Sequence, residues 1–461
     1  MTQEYEADYV IVGAGATALA FADTMLSESD ASMIIVDRRD APGGHWNACY
    51  PFVRLHGPSL NYGVNSRELG TEETDAAGFN AGLHQLAAGP DIRAYFHAVM
   101  NERLLPSARV RYLPAHKYTN GVATGPSGAI RLKARKKVVD ATYTGTQLPN
   151  EQPPPFTVAP GVRCVPPHAL EQADATARYV IIGAGKTAMD TVVWLITNGV
   201  APDHITWIRP RDAWILSRET VQPSYAFFAA TYSALVAEIE AARDAETAAD
   251  LYLRLEQAGL WRRLDPTVMP DMYRCAIASA GEVALLRQVA NVVRKGRVKA
   301  IGRARITLDA GEIETSPDVL HINCSADGIP RQPPRPVFAA DRITLQYVRR
   351  CSPTFSAAFI AFLEATIADD DAKNALSAPV PIPDAPIDWL TSRLAEARNR
   401  YLWQKSPGVL DWVARSRLDR FSAMAARAIS ENDPAHTSIL ARYSAAMKPG
   451  LANLTRLLEA T

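Results

Sequence analysis

The chain has 461 residues, with 49 Lys plus Arg against 49 Asp plus Glu, a formal net charge of zero and 48% hydrophobic residues. That balance excludes a global field for a nucleic-acid polymer or an anionic membrane surface, while the length and apolar content allow several domains with substantial cores. No apolar stretch approaches the roughly 20 residues of a membrane span, and the acidic start Met1-Thr2-Gln3-Glu4-Tyr5-Glu6 runs straight into the first apolar segment, leaving no room for a signal peptide and predicting a cytoplasmic protein.

Asp8-Tyr9-Val10-Ile11-Val12 reads as a buried parallel strand. The turn Gly13-Ala14-Gly15-Ala16-Thr17-Ala18 follows, then a helix packed through Leu19, Phe21, Met25 and Leu26. Gly13 allows the tight turn, Gly15 lets the backbone approach a pyrophosphate, and Ala18 permits close packing of helix on strand. The amides at the helix start, around Ala16 and Thr17, face the phosphate charge. A second strand, Met33-Ile34-Ile35-Val36, ends at Asp37, whose carboxylate suits ribose hydroxyls and disfavours a phosphorylated ribose; Arg38 beside it is a further binding candidate. Gly43-Gly44-His45-Trp46 then offers either a second close backbone approach to the same nucleotide or a plain surface turn with a packed Trp. Strands are also expected near Val110–Tyr112 and Ile130–Lys133.

The pattern returns about 170 residues on. Tyr179-Val180-Ile181-Ile182 leads into Gly183-Ala184-Gly185-Lys186-Thr187-Ala188, and the next helix carries Met189, Val192, Val193 and Ile196 before Asn198-Gly199 stops it. Lys186 and Thr187 stand at its start. The following strand, Ile205-Thr206-Trp207-Ile208, ends at Arg209 with Arg211 close behind, where the first copy has an acid. Guanidinium groups there suit the 2′-phosphate of NADPH; the alternative is two solvated arginines on a loop. Two such turns in one chain imply two bound dinucleotides, and a protein holding two usually passes a hydride between them.

Residues 224 to 264 read as helices, with Ser224 as a cap for a run containing Phe228, Leu235 and Ile239, then a second run with Leu251, Leu255 and Leu260. This insertion either closes over a site or packs as core, the usual fate of an apolar helical stripe. Ile343-Thr344-Leu345 returns to strand, and Ser352-Pro353-Thr354-Phe355 forms a capped helix start. Pro379, Pro381, Pro383 and Pro386 make an extended strap. Helices follow, whose Trp389, Leu394, Trp403, Leu410, Trp412 and Val413 cover either the first domain or a neighbouring subunit of a homo-oligomer. The five cysteines, at 49, 164, 275, 324 and 351, contain no Cys-x-x-Cys pair, which excludes a dithiol relay of that spacing and predicts free thiols. The nine histidines form no ligand-spaced cluster, so no metal is expected.

These residues resemble the two-dinucleotide-binding-domain flavoproteins, and within them the flavin-containing and Baeyer-Villiger monooxygenases. The likeness rests on both glycine turns, the Gly43-Gly44-His45-Trp46 stretch, the two arginines, and two similarly worded strand ends, Val139-Asp140-Ala141-Thr142-Tyr143-Thr144-Gly145 and Asn323-Cys324-Ser325-Ala326-Asp327-Gly328. It spans roughly residues 6 to 365. The family's aromatic-x-Gly-x-x-x-His-x-x-x-aromatic linker pattern is not present; Pro153-Pro154-Pro155-Phe156 and Pro166-Pro167-His168 stand there.

The resemblance implies an α/β fold with two Rossmann-like domains, the FAD domain interrupted by the NADPH domain, and a helical insertion and a helical C-terminal extension. Expected bounds are 1–165 and 326–375 for FAD, 166–325 for NADPH with the insertion at about 218–290, and 376–461 for strap and extension. Gly145, Asp327 and Gly328 would border the cofactors, and the helix starting near Thr354 and Phe355 would point its positive end at the flavin pyrimidine. Asn65, in a stretch similar to one that contacts nicotinamide in this family, is a catalytic candidate. So are His56, as proton shuttle or structural residue, and Arg54, paired with FAD phosphate or with a carboxylate. The implied reaction is reduction of FAD by NADPH and transfer of one oxygen atom from O2, through a C4a-peroxyflavin, to a small organic substrate such as an amine or sulfide. The alternatives are an NADPH-dependent reductase without oxygen insertion and a nonenzymatic redox sensor.

Overall fold

The structure is a computed structural model that describes residues 3–126, 128–173 and 176–460, and structural statements refer to those residues. Met1 and Thr2 of the acidic start lie outside them. In chain order, β1 (Gln3–Val12), α1 (Ala16–Glu28) and β2 (Met33–Val36) open the first unit. The chain goes on through α2 (Gly89–Ala98), β3 (Val110–Leu113), β4 (Lys117–Thr119), β5 (Val122–Gly125) and the long β6 (Gly128–Asp140). These strands form one sheet in the order β3-β2-β1-β6-β5-β4. The β1, β2, β3 and β6 pairings are parallel, β5 pairs antiparallel with β6, and β4 pairs antiparallel with β5. All four residues of β2 are buried, as expected for a parallel strand covered on both faces.

From β6 the chain crosses to a second sheet. β7 (Thr157–Val158) and β8 (Cys164–Val165) precede β9 (Tyr179–Ile182), α3 (Lys186–Thr197), β10 (Ile205–Ile208) and β11 (Ala213–Ser217). Next come α4 (Phe228–Asp244), α5 (Ala248–Gln257), β12 (Trp261–Arg262), β13 (Met272–Ala278), α6 (Ala280–Leu286) and β14 (Val292–Val293). β15 (Val298–Ile301), β16 (Arg305–Leu308), β17 (Gly311–Glu314) and β18 (Leu320–Asn323) complete this half. A five-stranded parallel sheet, β14-β10-β9-β18-β8, is its centre. β7 and β8, within the stretch expected to end the first part at residue 165, pair instead with β15 and β18 of this half. The segment 224–264 folds as α4, α5 and β12, with β12-β11-β13 as a small sheet. Ser224 does not cap α4: Phe227 holds that position, and the Ser224 hydroxyl meets His84 Nε2 at 2.7 Å.

β19 (Arg342–Thr344) brings the chain back, pairing parallel with β6 at the register Ile343↔Val139. α7 (Pro353–Thr366), α8 (Asp370–Leu376), α9 (Pro386–Gln404), α10 (Pro407–Arg415), α11 (Arg420–Glu431) and α12 (Pro434–Glu459) follow. α7 is buried along almost its whole length, because α1 covers one side and Trp403 and Trp412 of the extension cover another. Part of the extension therefore covers the first sheet's own helices within one chain. Trp389 turns the other way, into a cluster with Trp214, Trp261 and Tyr273 of the second half. No described helix is long and apolar enough to cross a membrane.

Cys275 and Cys351, expected as free thiols, are joined by a disulfide across 76 residues of sequence, whereas Cys49, Cys164 and Cys324 are free. The bridge connects β13 to the turn before α7, a proximity that only the return of the chain to the first sheet creates.

α12 packs on α4 through Gly450, where an added Cβ would stand 2.6 Å from Ile239 Cδ1 and 2.7 Å from the Ile239 carbonyl oxygen. Helix propensity alone favours Ala over Gly by about 1 kcal/mol, yet overpacking against a backbone atom costs about 1–3 kcal/mol. Gly450→Ala is thus expected to lower the urea midpoint, and an unchanged or raised midpoint would show that the two helices part freely.

Candidate functional site

The two glycine turns occupy equivalent places, at the carboxyl ends of β1 and β9, each a strand with parallel neighbours on both sides. Gly13 has φ +103° and donates its N–H to Val36 O at 2.8 Å, pinning the turn to the end of β2. Gly15 is the N-cap of α1 and supplies no side-chain cap, so the first amides of the helix keep their hydrogen-bonding capacity for a ligand. Gly43 N donates to Ala14 O at 2.8 Å, and a Cβ on Gly44 would lie 2.9 Å from Gly15 Cα. The second Gly-Gly turn is therefore stacked on the first, and Gly44, at φ +61°, leaves no room for a side chain.

Asp37 is buried at the tip of β2, accepting from Ala14 N through one oxygen and from Arg39 N at 2.7 Å through the other. Each carboxylate oxygen retains a lone pair for a ribose hydroxyl. Arg38 is exposed beside it. Trp46 is core, donating its indole N–H to Tyr62 OH at 2.9 Å, with the His45 ring 4.9 Å away. The packed Trp is thus realised, and the backbone of this turn lies close against the first glycine turn.

A narrow crevice runs from this turn to α7, lined by Thr17, Thr144, Leu345, Gln346, Tyr347, Pro353 and Ala357. Gly145 follows Thr144 of this lining, its N–H turned back to Thr142 O at 2.9 Å. α7 starts at the crevice with Pro353 in its first turn. The Ser352 hydroxyl donates to Arg350 O at 3.0 Å rather than accepting a helix amide, so this helix start also lacks a side-chain cap. Thr354 and Phe355, expected at the cofactor, are both buried in the core, Phe355 under the Arg349 guanidinium; on this helix Pro353 and Ala357 face the crevice instead. Successive helix positions are about 100° apart, which separates 354 and 355 from the 353/357 face.

At the second turn Gly183 has φ +134°, donates to Ile208 O at 3.1 Å and would press a Cβ to 3.0 Å from Cys324 O. Gly185 is the uncapped N-cap of α3. Gln147 N donates to Gly328 O at 2.7 Å, and Asp327 O accepts from Arg274 Nη1 at 2.8 Å, so the two chain crossings lie side by side. Lys186 does not extend to solvent. Its ammonium pairs with Asp190, one helical turn on, and with Glu282 at 3.1 Å. Glu282 also holds Arg218, whose Nε donates to His56 O at 2.9 Å and Nη1 to Asn80 Oδ1 at 3.1 Å. Tyr50 OH donates to Asp190 Oδ2 at 2.7 Å. Burial pushes the Glu282 carboxyl up, but Lys186 and Arg218 overcome this and hold it at about 2.

Sequence reasoning missed Tyr50, Asp190, Arg218 and Glu282. Two local signals were there to read: the i, i+4 spacing of Lys186 and Asp190, and the Ser279-x-x-Glu282 capping box that starts α6.

The two arginines expected to meet a 2′-phosphate are already paired. Arg209 is buried over Trp207, 3.2 Å from Asp212, while Arg211 makes two 2.9 Å bonds to Asp384 of the proline strap. Arg209 is not solvated, whereas Arg211 stays part-exposed beside its partner. Asn65 Oδ1 accepts from Ser416 Oγ at 2.9 Å. Its neighbour Ser66 binds Asp23, two turns beyond the start of α1, so this stretch is held away from the α1 glycine turn. Arg54 is exposed, reaches only Leu86 O at 3.3 Å and pairs with no carboxylate. His56 lies beside the ion chain; its Nδ1 accepts from Ile277 N at 3.2 Å, which leaves the proton on Nε2. No group of three metal-ligating side chains occurs among the described residues.

With this geometry in place, the fold is similar to that of cyclohexanone monooxygenase bound to ε-caprolactone, with a TM-score of 0.50 and 13% identity, covering 93% of this chain and 99% of that one. The family described as NAD(P)-binding Rossmann-like domain matches residues 11–96. Rv2000 of Mycobacterium tuberculosis (strain H37Rv) and Mb2023 of Mycobacterium bovis are each 44% identical over 416 residues, 90% of this chain and 78% of theirs. The protein belongs to the family of these mycobacterial proteins.

Two outcomes follow. Burial holds both His45 and His56 at about 4, against an ordinary 6.5, with Arg39 adding to the effect at His45 and Lys186 at His56. The unfolded chain then binds more protons between those values, so stability present at neutral pH is lost as pH falls from 6.5 towards 4. Denaturant midpoints across that window should fall, and fall less in His56→Gln; a flat profile would contradict the buried neutral rings. Arg211→Ala should lower the melting temperature by freeing the strap while leaving the ratio of KM for NADPH to KM for NADH unchanged, whereas a selective rise for NADPH would return Arg211 to the phosphate.

Proposed function

We propose that the protein is an FAD- and NADPH-dependent oxidoreductase, a monooxygenase acting on a small organic substrate with molecular oxygen. One observation carries this reading: two glycine turns, each at the carboxyl end of a strand with parallel neighbours and each opening an uncapped helix, joined by chain crossings that lie against one another. The residues present fit FAD in the first half. The α1 amides after Gly15 would take the pyrophosphate, Asp37 the adenosine ribose, and the start of α7 the pyrimidine end. NADPH would lie on the α3 amides after Gly185. A bound flavin supplies hydride acceptance from NADPH and, once reduced, the activation of oxygen that transfers one atom to a soft nucleophile such as an amine or sulfide.

The chain's own groups contribute position and charge. The partial positive ends of α1 and α7 favour negative charge in the crevice. The Tyr50–Asp190–Lys186–Glu282–Arg218 chain fixes α3 against the loop that follows the Gly43-Gly44 turn. His56, neutral with its proton on Nε2, offers a hydrogen-bond donor at that junction without a charge that changes near neutral pH.

The test is stoichiometry. FAD-loaded protein given NADPH and an organic sulfide in air should consume NADPH and oxygen and form sulfoxide in equal amounts. Anaerobic oxidation of NADPH that reduces an organic acceptor, with no oxygen atom in the product, would assign a reductase instead.

A further inference from the structure

Cys275 lies in β13, where the pairing with β11 slips: Trp214 faces Tyr273, but Leu216 faces Ile277. Such a bulge inserts extra residues and re-aims a side chain out of the ladder. Here the re-aimed side chain is Cys275, bonded to Cys351 immediately before the N-cap of α7. Both cysteines have left-handed backbones, φ +54° and +51°, a region that residues other than Gly, Asn and Asp adopt rarely. The bridge thus joins a strand bulge and a turn, each in a backbone conformation that cysteine adopts rarely. Cys351 is exposed and Cys275 half-buried, so the bond is open to a thiol from solvent.

The turn it holds matters. Arg350 Nε donates to Glu396 at 2.7 Å and Arg349 stands 3.1 Å from Asp419, tying the turn to the C-terminal helices. The disulfide alone ties it covalently to the second half. We propose that Cys275–Cys351 is a reversible redox staple: oxidised, it fixes the start of α7 at the crevice; reduced, it releases that turn and weakens flavin retention. This rests on the crevice being the FAD site. In the reducing step the thiolate of a dithiol attacks Cys351 Sγ, forming a mixed disulfide as the Sγ–Sγ bond breaks and its electron pair leaves on Cys275 Sγ. The second thiol of the reductant then displaces Cys351, so two electrons and two protons pass to the protein and the dithiol becomes a disulfide.

The experiment compares full-length protein before and after dithiothreitol, alongside Cys275→Ser and Cys351→Ser. Non-reducing peptide mapping of the air-oxidised protein should give the 275–351 cross-linked peptide, and alkylation of both cysteines without reductant would overturn the proposal. Without flavin, amides of residues 347–356 should exchange faster after reduction and in both variants; equal exchange would overturn it. The Kd for FAD should rise about 5- to 10-fold on reduction, the scale of ordinary coupling between linked sites, and be insensitive to dithiothreitol in the variants. An unchanged Kd would remove the link to flavin, whereas FAD binding in neither state would refute the FAD reading itself and leave amide exchange to judge the staple.

Discussion

The junction of the two halves depends on Glu282, a buried carboxylate held between the buried Arg218 and the half-buried Lys186. Lys186 comes from the start of α3, Arg218 from the turn after β11, and Glu282 from α6; Arg218 and Glu282 are buried and Lys186 is half-buried beside them. Removing one member of such a set costs about 3–5 kcal/mol, because the remaining charge is left desolvated. The set therefore forms only when α3, α6 and the 218 turn are all in place. Through His56 O, Asn80 and Tyr50 it also specifies where the loops of the first half must stand. The second glycine turn is fixed against the first half by this electrostatic requirement.

β13 repeats the logic along a single strand. Tyr273 N donates to Asp384 O of the strap, Arg274 binds Asp384 and Asp327 O, Cys275 holds Cys351, and Ile277 N meets His56. Four residues of β13 thus reach the strap, the returning crossing at Asp327, the turn before α7 and the first-half loop that carries His56. The C-terminal helices act on the same turn from the opposite side, where Glu396 is kept at about 2 because Arg350 and Arg393 outweigh the effect of its burial. The crevice wall at α7 is in this way supported by charge on one side and by a covalent bond on the other.

What the sequence made legible was local. The glycine turns, Asp37 and the strand-turn-helix order could be read because Gly13, Gly15, Gly183 and Gly185 act within a few residues of their partners. Where a side chain's partner lies far along the chain, reading failed. Arg211 meets Asp384 173 residues on, Asn65 meets Ser416 351 residues on, and Cys275 meets Cys351 76 residues on. Residue type alone left each of these groups free for a phosphate, a flavin or solvent. Thr354 and Phe355 failed for a different reason: the helix start was placed correctly, but its rotation is set by the α1 and tryptophan contacts that bury it.

The central claim is that two nucleotides meet across this junction and exchange a hydride. Anaerobic mixing of FAD-loaded protein with NADPH, protiated and stereospecifically deuterated at the nicotinamide C4, tests it most directly through the flavin absorbance. The account predicts bleaching in a single phase with a primary isotope effect for one of the two deuterated faces. Retention of FAD without bleaching by NADPH or NADH would contradict it and leave the second glycine turn without a redox role.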